Sequence, residues 1–142
     1  MPVSRTIFVA RAGIGGLTAS LALAKKGFRA VVLEKAEKLE ETGAGLQLSP
    51  NASRILVELG IEPRLAGRAV VPESINIMSA RAGGEICRLP LGQAATFREG
   101  APYWVVHRAD LQAALLAQVA ATPDVELRLG CQFEDVTKHA RG

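Results

Sequence analysis

Cysteine is scarce in this chain, and the two that occur, Cys87 and Cys131, belong to no CxxC pair. Their spacing gives no support to a zinc site or a disulfide framework; two small hydrophobes in a reducing compartment account for them. Aromatic residues make up only 4% of the 142 positions, too few for a base-stacking surface. The net charge of +3 is scattered rather than gathered in a basic arm. Both deficits count against nucleic acid as a partner. No apolar run approaches the roughly 18 residues of a membrane span, which counts against a membrane partner. Near the start, Ile7 to Ala10 is too short for the apolar core of a secretory leader, and Arg11 interrupts it. The expected location is therefore cytoplasmic.

What is present is a globular composition, 49% hydrophobic and 22% charged. One domain of this size can bury about 68–70% of its unfolded surface. Residues 5–10, RTIFVA, form an apolar run that ends in glycines, as a buried parallel strand would. Leu17, Leu21, Ala24 and Phe28 then recur at helical spacing, with Gly27 as the stop after Lys25 and Lys26. A second buried strand, Ala30 to Leu33, runs into Glu34. Strand, glycine turn, helix and strand make one βαβ unit.

Further on, the mixed charges of EKAEKLEE read as a solvated connection, and Gly43 and Gly45 open another turn. Ser49, Pro50 and Gly60 mark the cap, first position and stop of a helix. Ile75 and Ile77 alternate with polar neighbours, residues 81–84 turn the chain, and Ile86 to Leu89 returns as a hairpin partner. A short strand over 103–106 leads to an amphipathic helix with Leu111, Leu115 and Val119 on one face. Val125, Leu127 and Leu129 alternate as another strand, and a last strand is expected to begin near Phe133. The expected fold class is α/β, a Rossmann-like core with parallel strands near 5–10, 30–34 and 125–129. A partial antiparallel excursion is expected over 74–106.

The chemistry lies in VARAGIGGL, Val9 to Leu17. A GxGxxG turn lets backbone approach a diphosphate while a helix N-terminus aims free N–H groups at it, and an acid about 20 positions on takes the ribose hydroxyls. Gly13, Gly15 and Gly16 fill all but the first glycine position, and Glu34 stands eighteen places after Gly16. The bland alternative is a tight strand-to-helix connection with Glu34 capping an edge. Arg11 occupies the first glycine position. A side chain there crowds helix or ligand, and positive φ costs a non-glycine residue about 1–2 kcal/mol, so weakened binding is expected. The opposite reading pairs its guanidinium with a phosphate.

On these residues the chain resembles the amino-terminal part of the FAD-dependent aromatic-ring monooxygenases, the group of salicylate and hydroxybenzoate hydroxylases. The resemblance rests on AGIGGLTASLALAKKG, VVLEK, GAGLQLSPNASRILVELGI and HRADLQAAL, in that order. It implies FAD as cofactor, NAD(P)H as reductant and an aromatic small molecule as substrate. It also implies that Ala12, Gly13, Ile14, Gly15 and Gly16 face the FAD diphosphate, with Glu34 on the adenosine ribose and Lys35 beside it. Gly45 and Leu46 would lie near the flavin, Arg108 would reach the cofactor from the start of its helix, and Phe133 would contact adenine. Plain alternatives remain for two of these: a turn at Gly45 and an exposed charge at Arg108. His107 receives no role, and Tyr103 and Trp104 are expected in the core.

The family's later Asp-Gly and Gly-Asp motifs do not occur here. The resemblance thus implies an incomplete FAD-binding domain over 1–142, with 71–105 like the first strands entering a substrate domain, and a chain inactive on its own. Unfinished sheet edges would favour self-association. Two other readings stay open: a different FAD enzyme such as an epoxidase or reductase, and a noncatalytic truncated paralogue.

Overall fold

The computed structural model describes residues 5–39 and 43–137. In chain order its elements are β1 (Thr6–Ala10), α1 (Ile14–Lys25), β2 (Arg29–Leu33), β3 (Gly45–Leu48), α2 (Pro50–Glu58), α3 (Glu62–Leu65), β4 (Ser74–Met78), β5 (Glu85–Pro90), α4 (Gly92–Glu99), β6 (Trp104–His107), α5 (Arg108–Ala120) and β7 (Val125–Arg128). They fall into two compact units, Met1–Glu40 with Leu115–Gly142, and Glu41–Ala114.

The first unit is built on a parallel sheet of order β1-β2-β7. β2 is central, and its consecutive residues Ala30, Val31 and Val32 are all buried, as a parallel strand covered on both faces requires. α1 is rich in Ala and Leu, the best helix formers, and buries Leu17 and Leu21. Ser20 is fully buried, and its hydroxyl donates to the Leu17 carbonyl at 2.7 Å, so no polar group is stranded there. Gly27 closes the helix at φ 83, where a side chain would strain the backbone.

Two expectations are corrected in this unit. β1 is not a buried strand: it is an edge, with alternate residues exposed and Phe8 63% accessible. Its apolar run reads like that of β2, but only sheet order decides which strand lies inside. No strand forms near Phe133 within the described residues, which run as irregular backbone through Thr137. After β7 the chain turns at Gly130 (φ 66), and the Gly130 and Cys131 N–H groups donate to the Ala36 and Glu34 carbonyls at 3.1 and 2.8 Å. The backbone is thereby drawn across the end of β2 instead of along a neighbour.

In the second unit β3 pairs antiparallel with β6, and β4 with β5. Gly45, expected in a turn, opens β3 opposite His107; its pairing partner lies sixty-two positions away, beyond the reach of a local pattern. α2 starts as expected, with Ser49 at its cap position and Pro50 in its first turn, although the Ser49 hydroxyl bonds to Asn51 Oδ1 and not to the helix. α3 and α4 carry no clear apolar period and were not expected; Phe97 on α4 is 94% exposed. The hairpin turn over 79–84 is closed by the Ser79 N–H on the Gly84 carbonyl at 2.8 Å. Leu56, Ile61, Leu65, Val106 and Leu111 form the core with Trp104, whereas Tyr103 is half-buried and donates its hydroxyl to Gln47 Oε1 at 2.9 Å.

Candidate functional site

The turn between β1 and α1 is held by a carboxylate from the end of β2. Parallel pairing sets Ala10 opposite Leu33, so Glu34 emerges beside the turn. The Ala12 N–H donates to Glu34 Oε2 at 2.8 Å, and the Ala36 N–H to Oε1 at 3.0 Å. Those two amides, Ala36 first, hold the pKa of the Glu34 carboxyl below its ordinary value; burial opposes them, and the positive charge of Arg11 adds to them. Glu34 therefore stays ionised although it is only 8% exposed.

α1 has Gly13 at its N-cap, with no side chain capping it and no acidic residue in its first turn. An uncapped N-terminus leaves backbone N–H groups in need of an acceptor, and the helix dipole favours an anion there. The glycines divide by purpose. A Cβ at Gly16 would stand 2.0 Å from the Arg11 carbonyl oxygen, so glycine is required for helix and strand to pack. A Cβ at Gly13 or Gly15 would meet nothing within 4 Å, and neither has positive φ. The fold itself thus leaves open space where glycine admits close approach from outside.

Arg11 is the one non-glycine residue with positive φ among those described, at 79°. The expected strain is present, about 1–2 kcal/mol for a side chain in this region. Its N–H donates to the Leu33 carbonyl at 2.7 Å, fixing the backbone between the two strand ends. Arg11 helps line an open cavity of about 320 Å³ with Ala10, Leu33, Lys35, Cys131 and Phe133. This cavity lies at the carboxyl ends of β1 and β2, where doubly wound sheets take their ligands. The first unit thus gathers Ala12, Gly13, Ile14, Gly15 and Gly16 at the turn, Glu34 against it, and Lys35 and Phe133 in the cavity.

The remaining expected positions belong to the second unit. Gly45 is exposed and Leu46 half-buried on β3, paired with His107 and Val106. Arg108 begins α5, with its N–H on the Ala44 carbonyl at 3.2 Å. Gly43 was missed as a partner of Arg108: a Cβ there would lie 2.9 Å from Arg108 Cδ and 3.0 Å from its Cβ. The glycine-rich GAG stretch was the available signal, but not what it made room for. His107, to which no role was given, accepts the Ala109 N–H on Nδ1 at 3.4 Å, a long contact at the start of α5.

Among the described residues no group of His, Cys, Asp and Glu could hold a metal ion, and no helix is long and apolar enough to cross a membrane. Cys87 and Cys131 are free thiols.

Residues 5–142 match a family described as FAD binding domain. The chain is 42% identical over 125 residues to 3-hydroxybenzoate 6-hydroxylase of Polaromonas naphthalenivorans, covering 88% of this chain and 31% of that protein. It is 41% identical to 3-amino-4-hydroxybenzoate 2-monooxygenase of Streptomyces cremeus, covering 88% and 32%. Among solved structures, a mutant of 2-methyl-3-hydroxypyridine-5-carboxylic acid oxygenase superposes with a TM-score of 0.73 at 27% identity, over 90% of this chain and 32% of that one. The chain spans about a third of the length of the curated relatives it matches.

Proposed function

Because the chain belongs to the FAD binding domain family of hydroxylase-type flavin monooxygenases, we propose that it forms the FAD-binding front of an enzyme that hydroxylates an aromatic small molecule. The observation that carries this is the Glu34 carboxylate bound to the Ala12 amide beside an uncapped helix N-terminus, with Gly13 and Gly15 facing open space. Those features suit a dinucleotide: the turn from Ala12 to Gly16 faces the diphosphate, with the amides of Gly13 to Gly16 to receive it while that of Ala12 is held by Glu34, and Glu34 takes the ribose hydroxyls. Lys35 and Phe133 border the space for the nucleoside. Gly45, Leu46 and Arg108 serve the flavin side, Gly43 giving Arg108 its room.

Bound FAD supplies the redox chemistry by which NAD(P)H and O2 hydroxylate a ring. This chain's own part is to bind and orient it. Glu34, ionised and anchored, holds a sugar without moving a proton. Residues 71–105 lead toward the substrate-binding portion, and the working location is the cytoplasm. The open edge of β1, with Phe8 exposed, is where a further strand or a second copy would pair.

The test is flavin uptake. The purified chain mixed with FAD and desalted should retain flavin absorbance and quench flavin fluorescence, and it should not hydroxylate hydroxybenzoates with NAD(P)H. Turnover by the chain alone would show the inactivity proposal to be wrong. Failure of the folded chain and its Arg11→Gly variant alike to take up FAD would instead favour a noncatalytic domain, the second reading, for which Arg11 speaks.

A further inference from the structure

We infer that Arg11 limits how tightly this chain holds the adenosine end of FAD, acting as an obstacle in the nucleoside cavity and not as a ligand of the diphosphate. The inference rests on the cofactor reading above.

The make-up of the cavity wall decides between these roles. The cavity that Arg11 lines takes its walls from the ends of β1 and β2 and from Cys131, Gln132 and Phe133, not from the helix mouth at Ala12 to Gly16. Arg11 thus borders the nucleoside side of the turn, in a cavity whose wall includes none of the amides that would receive phosphate. The root of the side chain cannot retreat. Its N–H is tied to the Leu33 carbonyl at 2.7 Å, and its own carbonyl sits where Gly16 leaves room for no more than a hydrogen. Arg11 is therefore fixed as a wall of the space of about 320 Å³ that a ribose and adenine would fill.

Charge works in the same direction. Arg11 is among the groups that hold the Glu34 carboxyl in its ionised form, and Lys35 lines the same cavity. Arg11 thus brings a second positive charge to the side of the turn that would receive the ribose hydroxyls. Glycine at position 11 would accept φ 79 without strain and vacate the cavity at once.

The experiment compares the chain with its Arg11→Gly and Arg11→Ala variants, each confirmed folded by circular dichroism. FAD, ADP and riboflavin 5′-phosphate are titrated by calorimetry and flavin fluorescence. Arg11→Gly should tighten FAD and ADP by similar factors of tenfold or more and leave riboflavin 5′-phosphate unchanged. Arg11→Ala, which keeps the Cβ, should gain less. If FAD and ADP bind equally well to chain and variant, or more weakly to Arg11→Gly with a shallower salt dependence, the inference is overturned while the cofactor reading survives. If no folded form binds FAD or ADP, the cofactor reading falls and takes this inference with it.

Discussion

Glu34 and Ala12, twenty-two positions apart, meet through a 2.8 Å hydrogen bond from the Ala12 amide to the carboxylate. The contact joins the end of β2 to the turn after β1, so one side chain both closes the βαβ unit and stands where a sugar would be gripped. Hydrogen bonds to an ionised group contribute about 1.5–3 kcal/mol. Glu34→Gln keeps the size but offers one acceptor oxygen for two amides, so it should lower unfolding stability by about 1.5–3 kcal/mol. It should also weaken FAD binding. Urea denaturation and FAD titration check the two effects; unchanged stability would mean that the carboxylate does not anchor the turn.

The same pair gives the stability a pH dependence. The Glu34 carboxyl is more acidic when folded than unfolded, so its contribution is full above the unfolded value of about 4.3. It is lost as pH falls through the lower folded value. The stability gap between the chain and Glu34→Gln should therefore be constant from pH 7 down to about pH 5 and close at more acidic pH. Acid titration followed by circular dichroism reads it. A gap that widens below pH 4 would reverse the sign.

Gly15 and Gly16 are neighbours with opposite prospects. An added Cβ at Gly16 collides with the Arg11 carbonyl oxygen at 2.0 Å, so Gly16→Ala should cost at least the 1–3 kcal/mol or so of core overpacking. Gly15 lies in α1 with nothing within 4 Å of the added atom, and alanine there should leave stability unchanged or raise it by up to about 1 kcal/mol. Yet Gly15→Ala should bind FAD at least several-fold more weakly, because its methyl enters the space left for the diphosphate. Melting temperature and flavin titration separate the two; a Gly15→Ala chain that bound FAD normally would place the diphosphate elsewhere.

Gly43 and Arg108 form a second linked pair. Gly43→Ala brings a methyl to 2.9 Å from Arg108 Cδ, and the side chain must move. If Arg108 serves the cofactor, Gly43→Ala and Arg108→Ala should reduce FAD affinity by comparable factors, and the double variant should lose little more than either alone. Additive losses in this double-mutant cycle would show that the two act independently.

The βαβ unit could be read from the residues because its signals are local: an apolar run, glycines, an Ala- and Leu-rich stretch, a second apolar run and an acid. α5 was legible for the same reason, and Leu111, Leu115 and Val119 are all buried as their spacing requires. β3 was not. Its GLQL stretch has no strand signal beyond Leu46 and Leu48, and it extends because β6 supplies the hydrogen bonds. α4 was hidden by Phe97, an exposed aromatic that breaks any amphipathic pattern. The segment near Phe133 looked like a strand, but its backbone bonds are drawn to the end of β2.

From the order of its residues alone, this chain was committed to a strand, a glycine turn, a helix and a strand ending in Glu34, because each depends on the conformational preferences of adjacent residues. Tertiary structure alone determined that β2 is enclosed while β1 is an edge, since burial in a sheet depends on which distant strand pairs with which. It also determined that Glu34 turns back onto the Ala12 amide and that Arg11 borders the cavity, because both placements are imposed by parallel pairing and by the packing of Gly16 against the Arg11 carbonyl.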